Sequence, residues 1–160
     1  MTKKLFKTMT IIYIITLGAI LGASIYAGAV VAPTIFHSES LLGGEIISNF
    51  QEGLIMTVNF QKLGFVVNFT IFFILFYEAT KWKNFENDRW TLMSAFFVVA
   101  TGLLFTSYYI PDIIEMQLAG EAMTKSDAFI NTHKGSEINF KIFSFALLSL
   151  LVLNLKKALR

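Results

Sequence analysis

The sequence predicts an all-α integral membrane protein: a bundle of four transmembrane helices with amphipathic helical segments in its two outer loops. Of its 160 residues, 55% are hydrophobic and only 15% charged, and the mean hydropathy is +0.63, outside the range of soluble domains. Four separate apolar runs approach or exceed the ~20 residues needed to cross ~30 Å of hydrocarbon at ~1.5 Å per residue. No run alternates with a period of two as an outer-membrane barrel strand does, and 17 phenylalanines against two prolines suit uninterrupted helices facing acyl chains.

The first run, from about residue 9 to 32, carries no charge, and Pro33 is expected to end it. A basic start, an apolar stretch and Ala27-Gly28-Ala29 also fit a cleaved signal peptide, but the stretch is too long for a signal core, so a retained span is expected. The second run, about 63–80, holds Asn68 in its middle and Glu78 near its end, with Tyr77 and Trp82 marking the boundary. The third, about 90–110, opens on Arg89 and Trp90 and closes on Tyr108, Tyr109 and Pro111, an aromatic belt at both interfaces. The fourth, about 138–155, begins beside Lys141, whose stem can snorkel, and is stopped by Lys156, Lys157 and Arg160. No internal repeat, linker or low-complexity tract is visible, nor a pair of broken helices shared by the two halves, so residues 1–160 read as a single domain.

Charge sets the orientation. Nine of the thirteen Lys and Arg residues fall with the termini and the middle loop, against Lys62, Lys125, Lys134 and Lys141 on or near the other side. The positive-inside rule therefore places both termini in the cytoplasm, in the inner membrane for a bacterial protein. Eight of the eleven acidic residues lie in the two opposite loops, Glu39, Glu45, Asp112 and Glu115 among them, and read as a solvated face.

Those loops are patterned. Leu42, Ile46, Phe50, Leu54 and Val58 recur four apart, which predicts an amphipathic helix lying in the interface or leading into the second span. Ile114, Leu118 and Ala122 repeat likewise, and Ser126-Asp127 is a capping signal for a helix that carries His133 into the fourth span.

The chain lacks cysteine, which excludes disulfides, thiolate metal sites and cysteine nucleophiles. It carries no HExxH, GxSxG, P-loop or dinucleotide fingerprint, and its net charge of +2 does not suggest nucleic-acid binding, so no enzyme is expected. In the first span Gly18 and Gly22 form a GxxxG pair, Ala19, Ala23 and Ala27 repeat at four, and Ser24 precedes Gly28 by four. Such a face admits close helix approach in lipid; packing within the bundle is the expectation and homodimerisation the alternative. His37 and His133, the two histidines, both fall on the outer side, where interfacial hydrogen bonding is the economical reading. Metal ligation with Met116, Met123 and nearby carboxylates is the alternative, and haem ligation is disfavoured because neither histidine is central in a span. His133, Ser136 and Asn139 step by three along one helix flank, with Glu137 and Lys141 an i,i+4 pair beside them. That flank is the best candidate ligand site; the competing reading makes Ser136 and Asn139 fasteners to a neighbouring helix, through Asn59 or Asn68.

Several phrases together resemble one family, the transmembrane protein 205-like group, whose bacterial members carry domain of unknown function 4149. They are Val31-Ala32-Pro33 followed by Phe36, then Gly44, Ile46 and Phe50, then Phe129, His133, Ser136 and Asn139 in an F-x-x-x-H-x-x-S-x-x-N stretch. The resemblance implies four spans and raises the interest of Pro33, His133, Ser136 and Asn139, but implies no established activity. Function is therefore expected to be that of a non-enzymatic accessory subunit or a small-solute or metal-handling component. The alternative is a redox-associated protein binding quinone or haem. The bilayer is one partner, and a second copy or a membrane complex is another.

Overall fold

The computed structural model describes residues 3–44, 46–83 and 88–159, and four long helices account for most of them. They are α1 (Lys3–Phe36), α2 (Asn49–Lys83), α3 (Arg89–Leu118) and α4 (Asp127–Ala158), each long and apolar enough to span a membrane. All four outrun the apolar stretches, because polar turns at their ends complete their hydrogen bonds in the headgroup layer and beyond.

Local chemistry sets the helix starts. The Asp88 carboxylate accepts from the Trp90 and Thr91 amides at 2.9 and 3.0 Å and so caps α3. Ser126 caps α4 as expected, accepting from the Phe129 amide at 3.2 Å. Gly43, in the left-handed region at φ 74°, ends the short helix Ser38–Leu42 that follows α1.

Each helix packs antiparallel on the next, and α1 closes the ring against α4. Thr10 and Tyr13 near the start of α1 meet Tyr77 and Glu78 near the end of α2, and Ser94 of α3 meets Ser149 of α4. Asn68 accepts from Thr106 at 2.8 Å, tying α2 to α3. The core is continuous, with Leu17 and Ile20 of α1, Val67 and Ile74 of α2, Val98 of α3, and Phe143, Leu147 and Leu150 of α4 all buried. Phe65, Phe69, Phe72, Phe96 and Phe145 point outward, as lipid-facing side chains do.

Three expectations are corrected. Neither proline ends its helix: a π-turn at Ala27–Val31 precedes Pro33 and another at Phe105–Tyr109 precedes Pro111, and both helices then continue. A proline has no N–H and its ring collides with the carbonyl four residues back. The widened turn, in which the Ala32 and Ile110 amides bond Ala27 and Phe105 five residues back, relocates that carbonyl and lets the helix resume. Each half thus has one helix with a π-turn ahead of its proline, but both helices are continuous and the sequences around the two turns differ.

The second correction concerns the small-residue face. Gly22 and Ala23 are exposed, and a Cβ built on Gly18 or Gly22 would meet nothing within 4 Å, so this face does not pack within the chain. The third concerns the start of the stripe Leu42, Ile46, Phe50, Leu54, Val58: its last three residues do lead into the second span, with Leu54 and Val58 facing outward and Glu52 and Met56 buried, but that helix begins at Asn49 and Leu42 belongs to the short helix before it. In lipid the apolar face has no reason to turn inward. Ile46 lies outside α2, and Glu45 and Arg160 lie outside the described residues.

Candidate functional site

At the end of the bundle away from Lys3 and Ala158 the helices do not close. Up to Tyr26, α1 packs against both α2 and α4, but beyond the π-turn its last residues, Ala32–Phe36, pack against α2 and not α4. The segment after α1 is held there by the Ser38 hydroxyl, which donates to the Glu52 carboxylate at 2.6 Å, both groups buried. The gap this opens between α1 and α4 is a crevice of about 1140 Å³.

Its walls are apolar and aromatic. Phe60 of α2 meets Phe105 of α3 and Phe140 of α4 edge-on at 5.6 and 5.3 Å, and Gly28 of α1 stands opposite Phe140, a Cβ there reaching the ring at 3.6 Å. Deep on the α1 wall, Ser24 is 0% exposed and its hydroxyl has no hydrogen-bond partner among the described residues. The mouth is polar, with His37, Gln117, Lys125, His133, Glu137 and Lys141 around it.

His37 and His133, far apart in sequence, thus line one cavity. The His37 Nδ1 lies 2.9 Å from the Pro33 carbonyl, which makes Nδ1 the protonated nitrogen and leaves Nε2 free. The His133 ring stacks over Phe129 at 5.9 Å, with Nδ1 3.7 Å from Glu137, and Glu137 lies 3.8 Å from Lys141. Ser136 lines the crevice while donating to the His133 carbonyl at 2.7 Å.

The predicted flank is divided at Asn139. It is 5% exposed, does not line the crevice, and donates to the Thr101 carbonyl of α3 at 2.9 Å. Asn139 is therefore a fastener, though its partner is a backbone carbonyl and neither Asn59, which bonds Ile55 within its own helix, nor Asn68. Of the small-residue set, Gly28 and Pro33 line the crevice, while Gly18, Gly22 and Ala23 lie outside it. Among the described residues no three His, Asp or Glu side chains gather as a metal site.

Sequence reasoning missed the groups that matter most to this geometry. Ser24 was legible only as one more small residue, and the phenylalanines that wall the crevice cannot be told by sequence from those facing lipid. The opposite end holds a second unforeseen cluster: Lys81 donates to both Glu78 oxygens at 3.1 and 3.0 Å, Tyr13 adds a hydroxyl contact at 3.4 Å, and Tyr13 stacks on Tyr77 at 3.8 Å. Glu78 and Lys81 are 7% and 3% exposed, so an ion pair lies inside the bundle where the sequence suggested only a helix end. Next to it Asp88 pairs with Lys157 of α4 and accepts from the Thr91 hydroxyl at 2.6 Å. Partial burial alone would raise the Asp88 carboxyl, but the hydrogen bonds from Lys157 and Thr91 and the Lys157 charge outweigh it and hold the carboxyl below its ordinary range.

A family model, the Domain of unknown function (DUF4149), matches residues 15–122. The match includes the Pro33 and Phe50 phrases and stops before the stretch from Phe129 to Asn139. No curated protein and no solved structure matches the chain. With the match extending from within α1 past the end of α3, this chain belongs to the DUF4149 family.

Proposed function

We propose that this protein is a non-enzymatic membrane component, an accessory or solute-handling subunit, that holds a small lipophilic ligand in the crevice between α1 and α4. The observation that carries this is the crevice itself: its volume exceeds the ~300–1,000 Å³ of ordinary ligand sites, and it combines aromatic walls with a few converging polar groups at its mouth. The unpartnered Ser24 hydroxyl supports the reading, since a buried donor without a partner costs about 1–3 kcal/mol that a bound acceptor relieves. Both termini lie in the cytoplasm in this reading, because Lys3, Lys4, Lys7, Lys81, Lys83, Arg89, Lys156 and Lys157 gather at the end of the bundle opposite the crevice.

The redox reading is kept for one reason: three phenylalanine edges and a free hydroxyl also suit a quinone ring. Native mass spectrometry of the protein extracted in mild detergent tests both. The wild type is expected to carry one lipophile per chain and Gly28→Phe, whose ring would block the passage opposite Phe140, none. A wild type that emerges bare, or an adduct retained by Gly28→Phe, overturns the proposal. An adduct of quinone mass with its ultraviolet absorbance selects the redox reading.

A further inference from the structure

We propose that the crevice takes a single phosphate-bearing zwitterionic amphiphile from the leaflet into which it opens, with its headgroup at His133, Glu137 and Lys141 and its chain running down the α1 wall. This inference rests on the reading of the crevice as a ligand site.

Length comes first. Along α1 the lining runs from Leu21 to His37, which at ~1.5 Å per residue is about 24 Å. One leaflet with its headgroups is about half of the ~40–45 Å bilayer, and its hydrocarbon about half of ~30 Å. From Leu21 to Ala32, about 16 Å by the same rise, Ser24 is the one side chain on this wall that carries a hydrogen-bonding group. The crevice therefore matches one lipid in depth and in where its polarity changes.

Access comes second. Ile25 on α1 and Phe145 on α4 are 53% and 73% exposed on the outside of the bundle, yet both line the crevice. The slot is open sideways to lipid between these helices, so a chain enters laterally without crossing the polar mouth.

Charge selects the headgroup. The mouth holds Lys125 and Lys141 against Glu121 and Glu137, a balance that favours a zwitterion over a net anion. Lys125 and Glu121 are joined at 2.8 Å. The 3.7 and 3.8 Å separations of His133 and Lys141 from Glu137 exceed hydrogen-bond length, so all three groups can turn to a ligand. The Lys141 ammonium, turned away from Glu137, meets the phosphate, and the headgroup ammonium meets the Glu137 carboxylate beside His133.

The test is a native mass spectrometry titration of the delipidated full chain with lysophosphatidylethanolamine, lysophosphatidylglycerol and the monoacylglycerol of the same chain length. Lysophosphatidylethanolamine is expected to bind about tenfold or more tighter than the monoacylglycerol, the advantage of one charge-assisted contact set. Glu137→Gln with Lys141→Gln should remove that advantage without changing thermal stability, since both side chains are largely exposed. Gly28→Phe should abolish binding of all three. Binding of lysophosphatidylglycerol or of the monoacylglycerol by the wild type as tightly as lysophosphatidylethanolamine, or more tightly, sinks the headgroup assignment and leaves the crevice standing. Binding of none, or binding undiminished in Gly28→Phe, sinks the crevice itself.

Discussion

Glu78 and Lys81 form a pair that neither water nor headgroups reach, since both are under one-tenth exposed. Burial of two ions is tolerated because each satisfies the other and Tyr13 takes a further carboxylate contact. Removing one partner leaves an uncompensated charge, so Glu78→Gln should destabilise the protein by about 3–5 kcal/mol, and Glu78→Gln with Lys81→Met should recover most of it in detergent melts. Asp88 is a different case, a partly exposed cap whose carboxyl is held below its ordinary range. A depressed carboxyl contributes stability above its unfolded value of about 3.9 and loses it as the pH falls toward the folded value. Melting temperature should therefore decline below about pH 4, and Asp88→Asn should show a shallower decline. Asn139→Ala should loosen α3 from α4 by roughly 0.6–2 kcal/mol while leaving ligand retention intact, whereas a lost ligand at unchanged stability would restore Asn139 to the site.

At the scale of elements, glycine position decides how closely helices approach, and the motif in the sequence pointed at the wrong ones. A Cβ on Gly102 would lie 2.8 Å from Ile71, 3.2 Å from Phe143 and 3.3 Å from Val67, so α3 touches α2 and α4 through this glycine. Gly102→Leu should cost about 1–3 kcal/mol or more by overpacking, while Gly22→Leu should leave the stability of the monomer unchanged. Equal losses in a thermal melt would show that the Gly22 face also has a partner, and a concentration-dependent melt would identify that partner as a second copy. The prolines carry a related lesson. Pro33 and Pro111 were legible as interruptions, but the choice between ending a helix and inserting a π-turn depends on whether the following residues find partners. Here the Ser38 and Glu52 pair holds the chain after the first interruption, and Thr132 bonds Asp112 just beyond the second at 3.1 Å.

For the whole molecule, the basic residues collected at one end and the crevice at the other make topology the first quantity to measure. A cysteine at Ser126 should react with an impermeant thiol reagent added outside intact cells, and one at Lys83 should not. The reverse pattern would turn the crevice toward the cytoplasm and with it the leaflet that supplies its ligand.

Composition and the length of the apolar runs determined by themselves four helices able to cross a membrane, because hydrocarbon admits only helices and closed barrels, whose backbones satisfy themselves, and no run alternates as a barrel strand does. The Ser126 cap and the continuous helix carrying His133 into the fourth span were equally legible, since both depend on neighbours a few residues away. What only the tertiary structure decided is which face of each helix meets protein. In water the apolar stripe marks that face, but lipid is as apolar as leucine, so Phe140 in the crevice and Phe145 at its lipid-facing edge look alike in sequence. For the same reason the structure alone placed Ser24 and both histidines on one cavity and took Asn139 out of it.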